Sequence, residues 1–174
     1  MHPNLLVIMP AEVRRLVGPI DTNLEQELLA AIQAIRDRRP ATSSVLQATI
    51  RAVSSHRVPL YECASTILED LATFDRTAMD AIVYLSRSTD ARVRHNALLC
   101  LNTEQPTDRV IEVLSAALSD KSSRVRRKAA DWIGRLGLHE LLSALENALD
   151  SEQHGETRLV MAAEVARFQS AASC

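Results

Sequence analysis

The sequence predicts an all-α protein built as a solenoid of stacked helical pairs, and three observations carry that prediction. Apolar residues recur at helical spacing along most of the chain. One such pattern returns after 32 residues, from Val93 to Val125. Signals for an all-β architecture are scarce, since the 174 residues include only five aromatics (Trp132, Tyr61, Tyr84, Phe74, Phe168) and four Gly, against ordinary Gly usage of about 7%.

The helices follow in order from their punctuation. Pro10 suits the first turn of a short helix near 11–17, because its missing N–H would have no intrahelical partner there. Thr22-x-x-Glu25 has capping-box spacing ahead of Leu24, Leu28, Leu29, Ile32 and Ile35, which predicts a helix over 23–38. Ser44-x-x-Gln47 repeats that signal for 44–56, and Pro59 opens 60–73. Asp75, Thr107 and Ser123 are N-cap candidates for 76–87, 108–119 and 123–136, with a further helix over 91–102. Gly137 is a left-handed stop after Leu136, and helices over 138–150 and 156–170 complete the array. Short connections leave little room for a long lid, a strand pair or a disordered linker.

The repeat is explicit. Val93-Arg94-x-x-Ala97-Leu98-x-x-Leu101 returns as Val125-Arg126-x-x-Ala129-Ala130-x-x-Ile133, and as Thr157-Arg158-x-x-Met161-Ala162-x-x-Val165. The preceding helices repeat too: Leu46, Ile50 and Val53 map onto Ala78, Ile82 and Leu85, then onto Val110, Leu114 and Ala117, after which the offset becomes 31 at Leu141, Leu145 and Ala148. Two helices per unit with no strand between them is the pattern of an α-solenoid, in which neither helix buries its apolar face until the next pair stacks on it. The expected organisation is one domain over 1–174: an N-terminal cap over 1–41, about four pairs over 42–170 and a tail over 171–174.

The segment Leu118-Ser119-Asp120-Lys121-Ser122-Ser123-Arg124-Val125-Arg126-Arg127-Lys128-Ala129-Ala130-Asp131-Trp132-Ile133-Gly134-Arg135-Leu136-Gly137 resembles the HEAT and HEAT-like repeat family, as does Asp90-Ala91-Arg92-Val93-Arg94. The resemblance is strongest over residues 75–137. It implies a right-handed α-α superhelix whose second helices line a concave face that commonly grips a protein.

Read without the family, helix 123–136 divides cleanly at 100° per residue. Val125, Ala129, Trp132, Ile133 and Leu136 form an apolar stripe, and Arg127, Lys128, Asp131 and Arg135 lie opposite. The positions 32 earlier include His95, Asn96 and Leu99, and those 32 later include Leu159, Val160, Ala163 and Arg167. Arg127, Lys128, Asp131, Arg135, His95, Asn96 and Leu99 are therefore the expected partner-binding residues. Lys121 to Lys128 carries five positive charges and no acid, which suits phosphate or a protein partner with an acidic patch. Arg94, Arg126 and Arg158 are expected to be structural, forming a ladder with turn carboxylates such as Asp120 and Asp90. Trp132 and Cys100 are expected in the core.

Catalytic chemistry finds no foothold in the motifs. Five His lack metal spacing, no Gly-rich phosphate loop occurs, and Asp150-x-Glu152-x-His154-Gly155 fails as a calcium loop because its twelfth position is Met161. No enzyme activity and no cofactor are expected. Nucleic acid is the second partner class, since some HEAT-like proteins resemble DNA glycosylases with a basic concave surface, but a net charge of −2 and an acidic stretch over 140–156 count against it. A bilin lyase-like chaperone is a third reading that no residue specifically supports. Stand-alone solenoids of this size also resemble immunity-type proteins that neutralise a cognate toxin. Cys63, Cys100 and Cys174 form no disulfide pattern, and Leu5-Leu6-Val7-Ile8-Met9 is far too short to span a bilayer or to read as a leader. A cytoplasmic, bacterial protein follows as the expectation, the source being suggested by 18 Arg among 20 basic residues.

Overall fold

The computed structural model describes residues 10–17, 21–105 and 107–171; the Leu5–Met9 run and Cys174 lie outside them. The described residues form ten α-helices and no strand: α1 (Pro10–Val17), α2 (Thr22–Asp37), α3 (Ser43–Val53), α4 (Val58–Leu71), α5 (Arg76–Ser86), α6 (Ala91–Leu99), α7 (Thr107–Leu118), α8 (Ser123–Leu136), α9 (Leu142–Ser151) and α10 (Gly155–Ala171). Each of the ten predicted helices is present. The caps differ in detail. Asp21 rather than Thr22 caps α2, its carboxylate accepting from the Leu24 N–H at 2.8 Å, and Thr42 rather than Ser44 caps α3. Asp75 caps α5 as expected, accepting from Thr77 N–H at 2.9 Å. Its other oxygen accepts from Ala41 N–H, also at 2.9 Å, which ties the start of α3 to the start of α5. Gly137 ends α8 at φ 63°.

Helices pair α3 with α4, α5 with α6, α7 with α8 and α9 with α10, and α1 and α2 pack across the N-terminal end of the stack against α3 and α4. First helices stack on first helices and second on second. The second-helix row α4, α6, α8, α10 packs more extensively than the first-helix row α3, α5, α7, α9, so the stack bends with the second helices inside. A cleft of about 620 Å³ lies between α7 and α9 and is lined in part by Asp120, Arg126 and Glu152. One apolar core runs the length of the array, from Val13 through Leu28, Ile67, Leu98 and Ile133 to Phe168. The single-residue loss of register at Leu141 is absorbed by a 3-10 turn over His139–Leu141 ahead of α9.

Two joints between successive units share one device. Arg94 grips Asp120 through both carboxylate oxygens at 2.6 and 2.8 Å, and Arg126 grips Glu152 at 2.7 and 2.6 Å. Each Arg also donates through Nη1 to a carbonyl of its own turn, Ser88 for Arg94 and Asp120 for Arg126, and Arg158 does the same to Glu152. The fork therefore reaches forward, to the turn that opens the following second helix. That direction corrects the expected Asp90 rung: Asp90 caps α6 through Arg92 N–H and pairs with the Arg92 side chain at 3.0 Å. Glu152 is the rung that sequence spacing did not single out.

Candidate functional site

The concave row is built from α6, α8 and α10. On α8, Lys128 donates to Asp131 at 2.9 Å, and Arg135 donates to the other Asp131 oxygen at 2.9 Å. Burial alone would raise the Asp131 carboxyl, but the Lys128 hydrogen bond and the Lys128 and Arg135 charges hold it below its ordinary range. Arg127 reaches the next unit and pairs with Glu156 of α10 at 2.8 Å. The expected basic patch is therefore largely compensated. Within Lys121–Lys128, Lys121 and Arg124 are exposed and form no ion pair among the described residues.

The structure brings Arg127, Lys128, Asp131 and Arg135 to one surface, with His95 and Leu99 half-buried on the neighbouring helix. Burial first, and then the positive field of Arg124, pushes His95 down to about 4, so it is neutral at pH 7. Asn96 departs from the expectation. It is 1% exposed and its amide donates to the Val53 carbonyl at 2.9 Å, closing the end of α3. A side chain consumed in that way is not available to a partner, so Asn96 leaves the candidate set. A helical wheel places it opposite the apolar stripe but carries no information on what the preceding helical pair puts there.

Trp132 is half-buried rather than enclosed. Its indole N–H donates to the Leu98 carbonyl at 2.6 Å, and Lys128 and Arg135 lie 5.2 and 5.8 Å from the ring centroid. The indole bridges α8 to α6 and carries two cations on its surface, each cation–π contact contributing about 0.5–1 kcal/mol where exposed. Cys100 is fully buried and its thiol is pushed up to about 12 by burial, which makes it a core group and a poor nucleophile.

At the α8–α10 contact, Gly134 allows a very close approach: a Cβ there would meet the Glu164 carboxylate. Glu164 is 6% exposed and pairs with Arg167 at 3.0 Å. Burial raises its pKa against the charge of Arg167, and Asp131 adds to the rise. Sequence reasoning passed over Glu164, although Gly at position 134 inside a helix was the available signal. Thr157, where the repeat loses its Val, buries its hydroxyl against the Ser123 carbonyl at 3.2 Å. Among the described residues no group of three or more His, Cys, Asp or Glu is placed to hold a metal, and no helix is long and apolar enough to cross a membrane.

The family model for HEAT repeats matches residues 78–166, about half of the chain. The chain belongs to the HEAT repeat family. The matched span runs from α5 through most of α10 and includes both Arg–carboxylate joints. A solved structure similar to this HEAT chain is the crystal structure of an engineered protein, at 17% identity and a TM-score of 0.46, with 92% of this chain and 79% of that one covered. No curated protein matches the chain.

Proposed function

We propose that the chain is a non-catalytic protein-binding scaffold whose second-helix row holds one partner protein. The carrying observation is the state of that row: Lys128, Asp131 and Arg135 are locked to one another over Trp132, Arg135 and Arg167 remain 59% exposed, and Arg124 stands exposed about three turns before Arg135 on α8. Charged groups already fixed by neighbours lose little side-chain freedom when a second surface arrives, which favours specific recognition. The partner chemistry that fits is a protein surface with acidic side chains spaced to meet Arg124, Arg135 and Arg167. An adaptor or inhibitor fits this surface, and neutralisation of a cognate toxin by a cytoplasmic, bacterial immunity-type protein is the biological role we assign within that reading. The Arg127–Glu156 and Lys128–Asp131–Arg135 pairings leave fewer cations for phosphates and count against a duplex-binding groove.

The test is Arg124→Glu combined with Arg135→Glu, with the partner captured from the native host by the unaltered chain. Capture by the double variant should fall at least about tenfold, the equivalent of roughly 1.4 kcal/mol, while the melting temperature falls by no more than about 4 °C. Undiminished capture would put the interface on another face.

A further inference from the structure

The two ends of the stack are finished differently. At the N-terminal end, the outward stripe of α2 is Asn23, Gln26, Ala30, Gln33 and Asp37, all exposed, with Gln33 donating to Asp37 at 2.8 Å. A polar outer face is what a terminal solenoid unit needs to remain in water. At the other end, the forward face of α10 is apolar. Its identity follows from α8, where Ser123, Arg127 and Gly134 meet α10 through the Thr157 hydroxyl, Glu156 and Glu164, and Ala130 lies between them by helical spacing. The positions 32 later include Leu159, Ala162 and Ala166. All three are exposed, Leu159 at 73%. Small residues stand at 162 and 166 as they do at 130 and 134, but Ala166 carries the Cβ that Gly134 lacks, so a helix docked here stands farther off than α10 does from α8.

Arg158 adds a charged half-site. Arg94 and Arg126 each use Nη1 on their own turn and present the remaining fork, Nε and Nη2, to the next turn's carboxylate. Arg158 uses Nη1 on the carbonyls of Leu149 and Glu152, and no carboxylate among the described residues meets its fork.

We infer that this end of the stack is a docking surface for a helical pair of another protein, one that carries Asp or Glu in the turn opening its second helix. The partner's second helix lies along Leu159, Ala162 and Ala166, and its turn carboxylate takes the Arg158 fork as Glu152 takes that of Arg126. A second copy stacked head to tail is the poorer occupant, because it would bring the polar α2 stripe onto Leu159. The surface lies on α10, the last helix of the second-helix row, whereas Arg124 and Arg135 lie on α8, so the Arg124→Glu, Arg135→Glu variant tests the other proposal without altering this one.

The experiment uses the full chain extended, after residue 174, by a second copy of residues 138–171 bearing Glu164→Ala in the added copy, since Ala166 fills the space that Gly134 leaves to Glu164; the turn of this helical pair contains a Glu152 equivalent. A covalently attached pair is presented at an effective concentration of about millimolar. The extended protein should melt higher by about 5 °C and show slowed amide exchange over residues 158–166. Leu159→Glu should erase both gains while leaving the melting temperature of the unextended chain unchanged, and Arg158→Gln should erase most of them. The inference is overturned if the added pair alters neither melting nor exchange in α10. It is equally overturned if the unextended chain self-associates in sedimentation and Leu159→Glu abolishes that association, since the occupant is then a second copy.

Discussion

The joint between α4 and α6 and the joints that follow it close the same kind of gap with different chemistry. At α8 and α10 the closure is ionic, a guanidinium laid bidentate on a turn carboxylate. Thirty-two residues before Arg94 the position is Glu62, and the turn position equivalent to Asp120 and Glu152 is Ser88, so neither half of the rung exists. Side chains reaching backbone carbonyls take over there. Arg92 donates to Ser54 and Ser55 at 3.0 and 2.5 Å, Asn96 to Val53, and Gln105 to Glu69 at 3.2 Å. Stacking requires that exposed helix ends and turns be satisfied, but it does not dictate by which groups. What the choice does dictate is how each joint fails.

The largest effect is expected at the ionic joint. The Glu152 side chain has no exposure, so Arg126→Ala leaves a buried carboxylate unpaired and should cost about 3–5 kcal/mol in urea denaturation. Replacing the pair together, Arg126→Met with Glu152→Leu, should return stability close to the starting value, because the cost lies in the orphaned charge rather than the lost attraction. Asn96→Ala tests the neutral joint. It strips the Val53 carbonyl of its partner, and a loss of about 1–2 kcal/mol is expected by the same measurement. An equal loss at the two joints would erase the distinction.

Proton linkage separates them further. The Arg126 hydrogen bonds hold Glu152 at about 2 despite its burial, below an unfolded-state value of about 4.3. Its contribution is present above that unfolded value and is lost as pH falls through the folded one. Glu69, at the end of α4, goes the other way: burial, then the Asp70 charge, pushes it up to about 7. Its protonated form favours the fold, so that contribution is present at pH 4 and is lost as pH rises through 7. Glu69→Gln should therefore raise the urea midpoint at pH 8 relative to the unaltered chain, give no gain at pH 4, and leave the loss of stability below pH 4 in place. The smallest effect is expected on the concave surface, where Arg135→Ala removes one exposed arm of the Asp131 pairing and should cost under about 1 kcal/mol.

Helix positions and the repeat were legible because periodicity and capping are local. The ladder was legible as a recurrence, Arg94, Arg126 and Arg158, but not as a direction, because the wheel places each Arg at the flank of its stripe without saying which turn lies within reach. Neutralisation of the patch was half legible. Lys128, Asp131 and Arg135 stand at i, i+3 and i+4 spacings that pair on any helix, whereas Arg127 and Glu156 meet only because α10 lies against α8. Asn96 illustrates the harder limit: its role depends on the end of α3, 43 residues away in sequence.

Asp120 holds Arg94 through its carboxylate and Arg126 through its main-chain carbonyl, at 2.8 and 2.6 Å. The rungs therefore form a single tensile line from α6 to Glu152, with one residue acting as the splice. A stretching load applied along the array should find this half stiff, yielding all at once at high force in an optical trap. The elastic give of the molecule then resides near Arg92 and Asn96, where no such line crosses the seam.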